Sequence, residues 1–368
     1  MGKIIVTLGA LAASAGTAGA GAIDRGMQSS AVIFEQGNYA ELTFGHLSPS
    51  VEGTQGITGK ASGSMYRDYN TGSVAVKTQL RDGLDAAFII DRPFGADASY
   101  ALGTGYIAAG TTGSLESTSY TALLKYRFPS NVSLIGGIRY QTLAAESHIP
   151  FLTPAPGITA PYNVVGSQDG GFGYVLGVSW EKPEIAARVS LTYISAIDYS
   201  LDTTETSVLG TVKSVTETST PQSVNLEFQT GIAANTLLFG GIRWVEWSAF
   251  NIRPTSYAAL TGGQSLVYYN DDVTTYTLGL GYKFNDTWSG AVTYMHDSSI
   301  GGYSLNLGPV DGYDSIALAA SYTKGNVKVT GAIRYFDLGD TQTQIGPFTN
   351  TFSGNDAIGV GVKIGYTF

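Results

Sequence analysis

The chain has 368 residues, of which 43 % are hydrophobic and only 13 % are charged, and it contains 48 glycines, 23 tyrosines and no cysteine. The lack of cysteine excludes disulfides, thiolate metal sites and cysteine catalysis. The net charge of −9 argues against a nucleic-acid-binding surface, because neutralising phosphates needs clustered lysine and arginine.

The amino terminus has the features of a secretory signal. Lys3 precedes a mostly apolar stretch over residues 4–15, and small residues follow, with Ala18-Gly19-Ala20 as a cleavage signal. Cleavage after Ala22 fits the same rule, and an uncleaved membrane anchor is the alternative. We expect residues 1–20 to be removed on export.

Residues 21–37 lie between this signal and the first predicted strand, and they are too many for a simple tail. We expect this segment to fold into the lumen of a barrel as a plug. Its apolar residues Val32, Ile33 and Phe34 either cap a ligand pocket or anchor the plug by packing, and the sequence favours neither role.

Residues 38–368 are predicted to form an antiparallel transmembrane β-barrel, an all-β fold. In the last segment Ile358, Val360 and Val362 share one parity, and small or polar residues share the other. The predicted strand cores are 38–47, 72–81, 84–92, 117–128, 131–144, 171–180, 185–199, 221–230, 236–248, 272–284, 288–297, 312–323, 327–338 and 355–368. About fourteen strands fit the even number of a single-chain bacterial barrel.

A soluble β-sandwich shows the same alternation, but the signal peptide, the strand ends and the connections favour a membrane barrel. Aromatic residues lie in pairs near the predicted strand ends: Tyr126 and Phe128, Trp244 and Trp247, Tyr282 and Phe284, Tyr366 and Phe368. Such rings are typical of the two membrane interfaces. Short turns alternate with long loops, so both termini are expected in the periplasm, with the last strand paired to the first and Phe368 as an assembly signal.

The third predicted strand is expected to end or kink at Arg92-Pro93-Phe94-Gly95. Proline removes a hydrogen bond of the strand ladder, and Gly95 permits an unusual backbone conformation. The run is a candidate lateral gate in the barrel wall. An ordinary extracellular turn is the alternative.

Several basic residues have the parity that faces the lumen. The candidate ligand-binding residues are Phe34, Arg139, Arg188, Arg243, Lys283 and Arg334. A cation in a partly dry cavity could bind a carboxylate head group. The alternative is a set of salt bridges that closes the barrel interior.

Catalysis is poorly supported by the sequence. His46, His148 and His296 are scattered along the chain, which does not indicate a zinc site. In Met295-His296-Asp297 adjacent side chains point to opposite faces of a strand, so they form no catalytic triad. We therefore expect no metal, no cofactor and no catalytic residue.

Three groups of residues suggest a family by their order and spacing over nearly the whole mature chain. They are Arg81-Asp82-Gly83-Leu84 with Asp91 to Gly95, Arg243 to Ser248, and Tyr276 to Trp288. In these stretches the chain resembles the FadL/TodX outer-membrane transport proteins. The segment 21–37 departs from that family because it is short and lacks the Asn-Pro-Ala type of sequence before the first strand.

The resemblance implies passive uptake of long-chain fatty acids or other small hydrophobic compounds across an outer membrane, with lateral exit at the kinked third strand. The implied partners are fatty acids or hydrocarbons, outer-membrane lipid and the barrel-assembly machinery, and we expect a monomer without nucleic acid. A general porin for small polar solutes and an outer-membrane hydrolase are the alternatives.

Overall fold

The structure is a computed structural model that describes residues 23–26, 28–155 and 158–368. Fourteen antiparallel strands form one closed barrel, as predicted. They are β1 Tyr39–Ser50, β2 Tyr69–Arg81, β3 Leu84–Asp91 and Gly95–Ser99, β4 Thr112–Arg127, β5 Val132–Ala155, β6 Ile158–Lys182, β7 Ala187–Ile194 and Ile197–Ser207, β8 Gly210–Thr220 and Ser223–Ala233, β9 Thr236–Val245, β10 Val273–Lys283, β11 Trp288–Asp297, β12 Tyr313–Lys324, β13 Val327–Leu338 and β14 Asn355–Thr367.

The barrel closes between its first and last strands, which confirms the predicted pairing. The register of β1 on β14 runs from Tyr39 opposite Thr367 to Ser50 opposite Asp356. On β14 the apolar residues from Ile358 to Tyr366 are between 42 % and 48 % exposed. The small and polar residues between them face the lumen, so the outer surface is apolar.

The largest extensions beyond the predicted cores are in β5, β6, β7 and β8. β5 and β6 extend about ten residues beyond the predicted cores, and β7 and β8 form a hairpin that closes with Ser207 opposite Gly210. This hairpin alternates buried and exposed positions, but its residues are mostly threonine, serine and charged side chains. Threonine has high strand propensity, yet a search for apolar alternation does not detect it.

The prediction that Trp247 lies at a membrane interface is wrong. Trp247 lies in a short 3-10 helix, Trp247–Ala249, and is only 1 % exposed. It packs inside the barrel with Phe94 and Phe250. Trp244 keeps the outward parity of β9, so only one member of this pair faces the exterior.

The long loops fold over the end of the barrel opposite the short turns. Gly53–Gln55, Thr341–Ile345 and Phe348–Phe352 form a small separate sheet. The β9–β10 loop contains the helix α1, Thr255–Leu260. In the described part of the chain, no helix is long and apolar enough to span a membrane.

The described residues of the segment 21–37 contact inward-facing side chains of the barrel. A 3-10 helix spans Ala31–Phe34, and Ile33 is fully buried. Val32 and Ile33 pack with small and aliphatic residues of the inner wall. This packing is compatible with an anchor, and Val32 also lines a lumen cavity of about 230 Å³, so both roles stay predictions. The predicted signal, residues 1–20, lies outside the described residues.

Candidate functional site

An apolar cavity of about 50 Å³ lies within the half of the barrel nearest the long loops. Its lining includes Ile23, Leu115, Val164, Leu201, Ile252 and Val267. The Thr203 hydroxyl at its edge lies 2.8 Å from Oγ1 of Thr216, so these two hydroxyls satisfy each other. Among the described lining residues the one acid is Glu146, which is exposed and has the outward parity of β5. The cavity is therefore suited to an apolar group.

The β9–β10 loop supplies one wall of this cavity, and a buried carboxylate holds it in place. Glu205 of β7 is fully buried and accepts hydrogen bonds from the backbone N–H groups of Ser256 and Tyr257, both at 2.9 Å. The hydroxyl of Tyr162 donates to the same carboxylate at 2.8 Å. Glu205 thus satisfies the free N–H groups at the start of α1 from another part of the chain.

The amino-terminal residues Ile23–Gly26 separate this cavity from a larger one. Ile23 lines the apolar cavity, whereas Arg25 and Gly26 line a second cavity of about 230 Å³ towards the short turns. The backbone N–H of Gly95 donates to Ile23 O at 2.7 Å, and the N–H of Arg25 donates to Pro93 O at 2.8 Å. These residues therefore act as an extra strand along the edge of β3.

Asp24 forms a buried ion pair with Arg243 of β9 at this boundary. Both side chains are about 95 % buried, with 5 % and 4 % exposed. Burial raises the pKa of the Asp24 carboxyl, and the charge of Arg243 and the N–H of Gly26 act in the opposite direction. Nearby, the Arg139 guanidinium donates to Gln28 and to the hydroxyl of Ser119.

The wall of the barrel is interrupted between β2 and β3. The ladder between these strands ends at Val74 opposite Ile90, and a single bridge joins Tyr66 to Ala98 farther along. Among the described residues no backbone pair joins 68–73 to 91–96. The larger cavity reaches both sides of this gap, since Thr71, Gly72 and Ser73 line it together with Asp91 and Arg92.

The predicted gate residues lie at this interruption. β3 stops at Asp91 and resumes at Gly95, so the run lies within the wall and is not an ordinary turn. Pro93, Phe94 and Gly95 are buried, and Arg92 is exposed. The Ser117 hydroxyl lies 2.9 Å from Phe94 N and 2.7 Å from Phe94 O, and it replaces ladder bonds to β4.

The sequence predicts an unusual backbone conformation at Gly95, and this prediction is wrong. Gly95 does not have a positive φ. A Cβ atom at this position would lie 2.6 Å from Nε of Arg25. A larger residue here would force the Arg25 side chain to shift, because the amino-terminal segment approaches β3 closely at this point.

The candidate ligand-binding residues do not form one cluster. Phe34 lies beneath Arg188, with 4.4 Å between the guanidinium carbon and the ring centre. Arg334 is fully buried and donates to Ser315 at 3.0 Å. Lys283 pairs with Asp286 at the short turns, 2.7 Å apart. Arg139 and Arg243, which meet the amino-terminal segment, are the two nearest the boundary between the cavities.

Three residues of the site have no signal in the local sequence. They are Ile23, which lines the apolar cavity, Glu205, which holds the loop, and Ser117, which satisfies the backbone of Phe94. Each acts through a partner far along the chain. Only the inward parity of Ser117 could have been noted.

The histidines offer no catalytic arrangement in the described part of the protein. His296 faces outward and its Nδ1 lies 2.9 Å from Asp314 on the adjacent strand, whereas Met295 and Asp297 face inward. The described residues contain no cluster of three His, Cys, Asp or Glu able to hold a metal ion.

The fold resembles those of known hydrophobic-compound transporters. A Pseudomonas aeruginosa FadL homologue has a TM-score of 0.78 and 13 % identity, with all of both chains covered. The toluene transporter TodX of Pseudomonas putida has a TM-score of 0.67 and 14 % identity over 95 % of this chain and 99 % of its own. The toluene transporter TbuX of Ralstonia pickettii has the same TM-score and identity, with 99 % of both chains covered.

These similarities confirm the FadL/TodX resemblance at the level of the fold. No family model and no curated protein matches the sequence.

Proposed function

We propose that the protein is an outer-membrane channel for passive uptake of small hydrophobic compounds, with its long loops outside the cell and its short turns in the periplasm. The observation that carries this proposal is the pair of cavities separated by Ile23–Gly26, one apolar and the other reaching a gap in the wall. The fold similarity to proteins described as toluene transporters supports the proposal.

The size of the apolar cavity implies that a ligand moves the amino-terminal segment. An engineered apolar cavity of about 150 Å³ holds benzene, whereas this cavity has about 50 Å³. A ligand can gain the missing space by displacing the Ile23 side chain. Because Ile23 O accepts the hydrogen bond from Gly95, displacement would also release the segment from β3.

Once the amino-terminal segment has moved, the ligand has a route from the apolar cavity into the membrane. It passes into the larger cavity, which borders the gap between β2 and β3, and leaves sideways through Arg92, Pro93, Phe94 and Gly95. Backbone groups without ladder partners are tolerated at membrane depth where they line a cavity. The step is driven by the concentration gradient and by transfer to hydrocarbon, at about 0.8 kcal/mol per methylene.

In this proposal residues 1–20 direct export, residues 21–37 form the plug and residues 38–368 form the barrel, which the assembly machinery inserts as a monomer. Long-chain fatty acids and neutral hydrocarbons are both candidate substrates. The plug segment and the folded loops occupy the lumen, which disfavours an open porin.

A disulfide across the gap tests the lateral exit. Gly72 and Arg92 lie on opposite sides of the gap and both line the larger cavity, so a covalent link between them would close it, and the native chain has no cysteine. The variant Gly72→Cys/Arg92→Cys should lose uptake of labelled toluene when oxidised and regain it on reduction. The matched control is Ala332→Cys/Gly361→Cys, which bridges opposed residues of the closed β13–β14 seam. Full uptake with the Gly72–Arg92 disulfide formed would contradict exit through this gap.

A further inference from the structure

The boundary between the two cavities carries a balanced set of buried charges. Asp24 pairs with Arg243, and both side chains are about 95 % buried. Arg139 is 3 % exposed, and it interacts electrostatically with Asp91 and Asp24. The two carboxylates and two guanidinium groups around Asp24 therefore have no net charge. The guanidinium of Arg25 lies over the Tyr69 ring and interacts electrostatically with Asp97 and Glu116.

Asp24 is the charge of this set that comes from the amino-terminal segment and not from a barrel strand. It follows Ile23, which lines the apolar cavity, and its Oδ1 accepts the N–H of Gly26 at 3.2 Å. The Arg243 guanidinium that it contacts belongs to β9, which also supplies Val245 to the same apolar cluster as Ile23. A ligand in the apolar cavity would thus lie beside an arginine that is already neutralised.

We propose that this site selects uncharged compounds and that Asp24 is the residue that sets this selectivity. The inference rests on the proposed function. A ligand carboxylate at this boundary would add a third buried negative charge to a set that is already balanced, and burying an unpaired charge is costly. Asp24 contacts Nη1 of Arg243, so a ligand carboxylate at the other guanidinium nitrogens would share with Asp24 a cation that is already neutralised, and it would repel Asp24.

The same boundary can accommodate a polar but uncharged head group. Nε and Nη2 of Arg243 are buried and have no hydrogen-bond partner among the described residues. Oδ1 of Asp91 is also buried without a hydrogen-bond partner among the described residues, and Asp91 and Arg243 both line the larger cavity. These atoms offer donors and an acceptor to a hydroxyl group, whereas a carboxylate can only accept.

Binding of matched neutral and anionic probes tests the selectivity. The purified protein in detergent is dialysed at pH 7.5 against labelled p-xylene or p-toluate, and 1-octanol or octanoate, with protein-free micelles as the blank. In the native protein the neutral member of a pair should bind about tenfold more tightly or better. In Asp24→Asn the carboxylate should gain about tenfold relative to its neutral partner, because Arg243 is left with an unbalanced charge. The asparagine oxygen can still accept the N–H of Gly26.

Two further variants separate charge at the boundary from charge elsewhere. Asp286→Asn removes a carboxylate whose side chain is 99 % exposed at a short turn, and the binding ratio should stay at the native value. Asp24→Asn/Arg243→Gln restores neutrality at the boundary and should abolish the carboxylate gain.

Equal binding of both members of each pair by the native protein would overturn the selectivity. An unchanged ratio in Asp24→Asn, or the same gain in Asp286→Asn, would overturn the role of Asp24. Lack of binding of all four probes would overturn the proposed function, and with it this inference.

Discussion

The contact of Glu205 with α1 predicts that one buried carboxylate controls the order of the β9–β10 loop. Glu205→Ala would leave the N–H groups of Ser256 and Tyr257 and the hydroxyl of Tyr162 without their acceptor. The ladder bonds of the barrel are untouched by this change. The expected effect is therefore local release of the loop, with the barrel intact.

The magnitude follows from the three hydrogen bonds. A hydrogen bond to a charged group contributes about 1.5–3 kcal/mol, and bonds to one carboxylate are not additive. Burial of Glu205 offsets part of this gain, so we expect the loop to lose about 2–4 kcal/mol of local stability. At about 1.4 kcal/mol per factor of ten, amide exchange in α1 should accelerate about 30- to 700-fold.

Hydrogen exchange read by mass spectrometry over Thr255–Leu260 measures this change, and thermal unfolding measures the barrel. Tyr162→Phe removes one of the three bonds and should produce a smaller acceleration. Glu217→Gln changes an exposed carboxylate on the same hairpin and should leave exchange in α1 unchanged. Native exchange rates in Glu205→Ala would refute the assignment of Glu205 as the residue that holds the loop.

Three further predictions concern the kink, the plug and assembly. Ser117→Ala removes the hydroxyl that bonds the backbone N–H and C=O of Phe94. The amide hydrogen of Phe94 should then exchange faster, by a factor that corresponds to about 1–3 kcal/mol of local stability. Native protection of this amide would show that other groups hold the kink. Ile33 is fully buried, so Ile33→Ala should lower the stability of its packing in the lumen by about 2–5 kcal/mol. The measurement is the rate of protease cleavage of residues 28–37 in an intact barrel, which should increase. Unchanged cleavage would argue against Ile33 as an anchor. Deletion of Phe368 should impair outer-membrane insertion while export continues, and normal insertion would count against its role as an assembly signal.

The strands of the barrel could be predicted because the bilayer imposes a repeating requirement on each of them. Every second residue at membrane depth must be apolar, as from Ile358 to Tyr366 on β14, and short turns separate the repeats. That requirement ends above the membrane, where both faces meet water or protein. Apolar alternation therefore does not indicate the threonine-rich β7–β8 hairpin beyond this height, although its backbone pairs as regularly as the rest.

The kink could be predicted from Pro93 because a missing N–H is a local property of the residue. The partners at the kink could not, since Asp24 and Arg243 are 219 residues apart and neither has a neighbouring motif. Parity assigned Arg139 and Arg243 to the lumen. Parity could not indicate that Gln28 would accept a hydrogen bond from Arg139 or that Asp24 would form an ion pair with Arg243.

The interruption of β3 also explains where the amino-terminal segment binds. Because β2 diverges from β3 beyond Val74, the carbonyl of Pro93 and the N–H of Gly95 lack a neighbouring strand, and Arg25 and Ile23 supply the missing bonds. Buried backbone groups require such partners. The break in β3 is thus the same feature that creates the docking edge for residues 23–26. In the proposed uptake route, a ligand that displaces Ile23 would strain the two backbone hydrogen bonds that hold these residues on β3, and cavity occupancy would be coupled to the gap in this way.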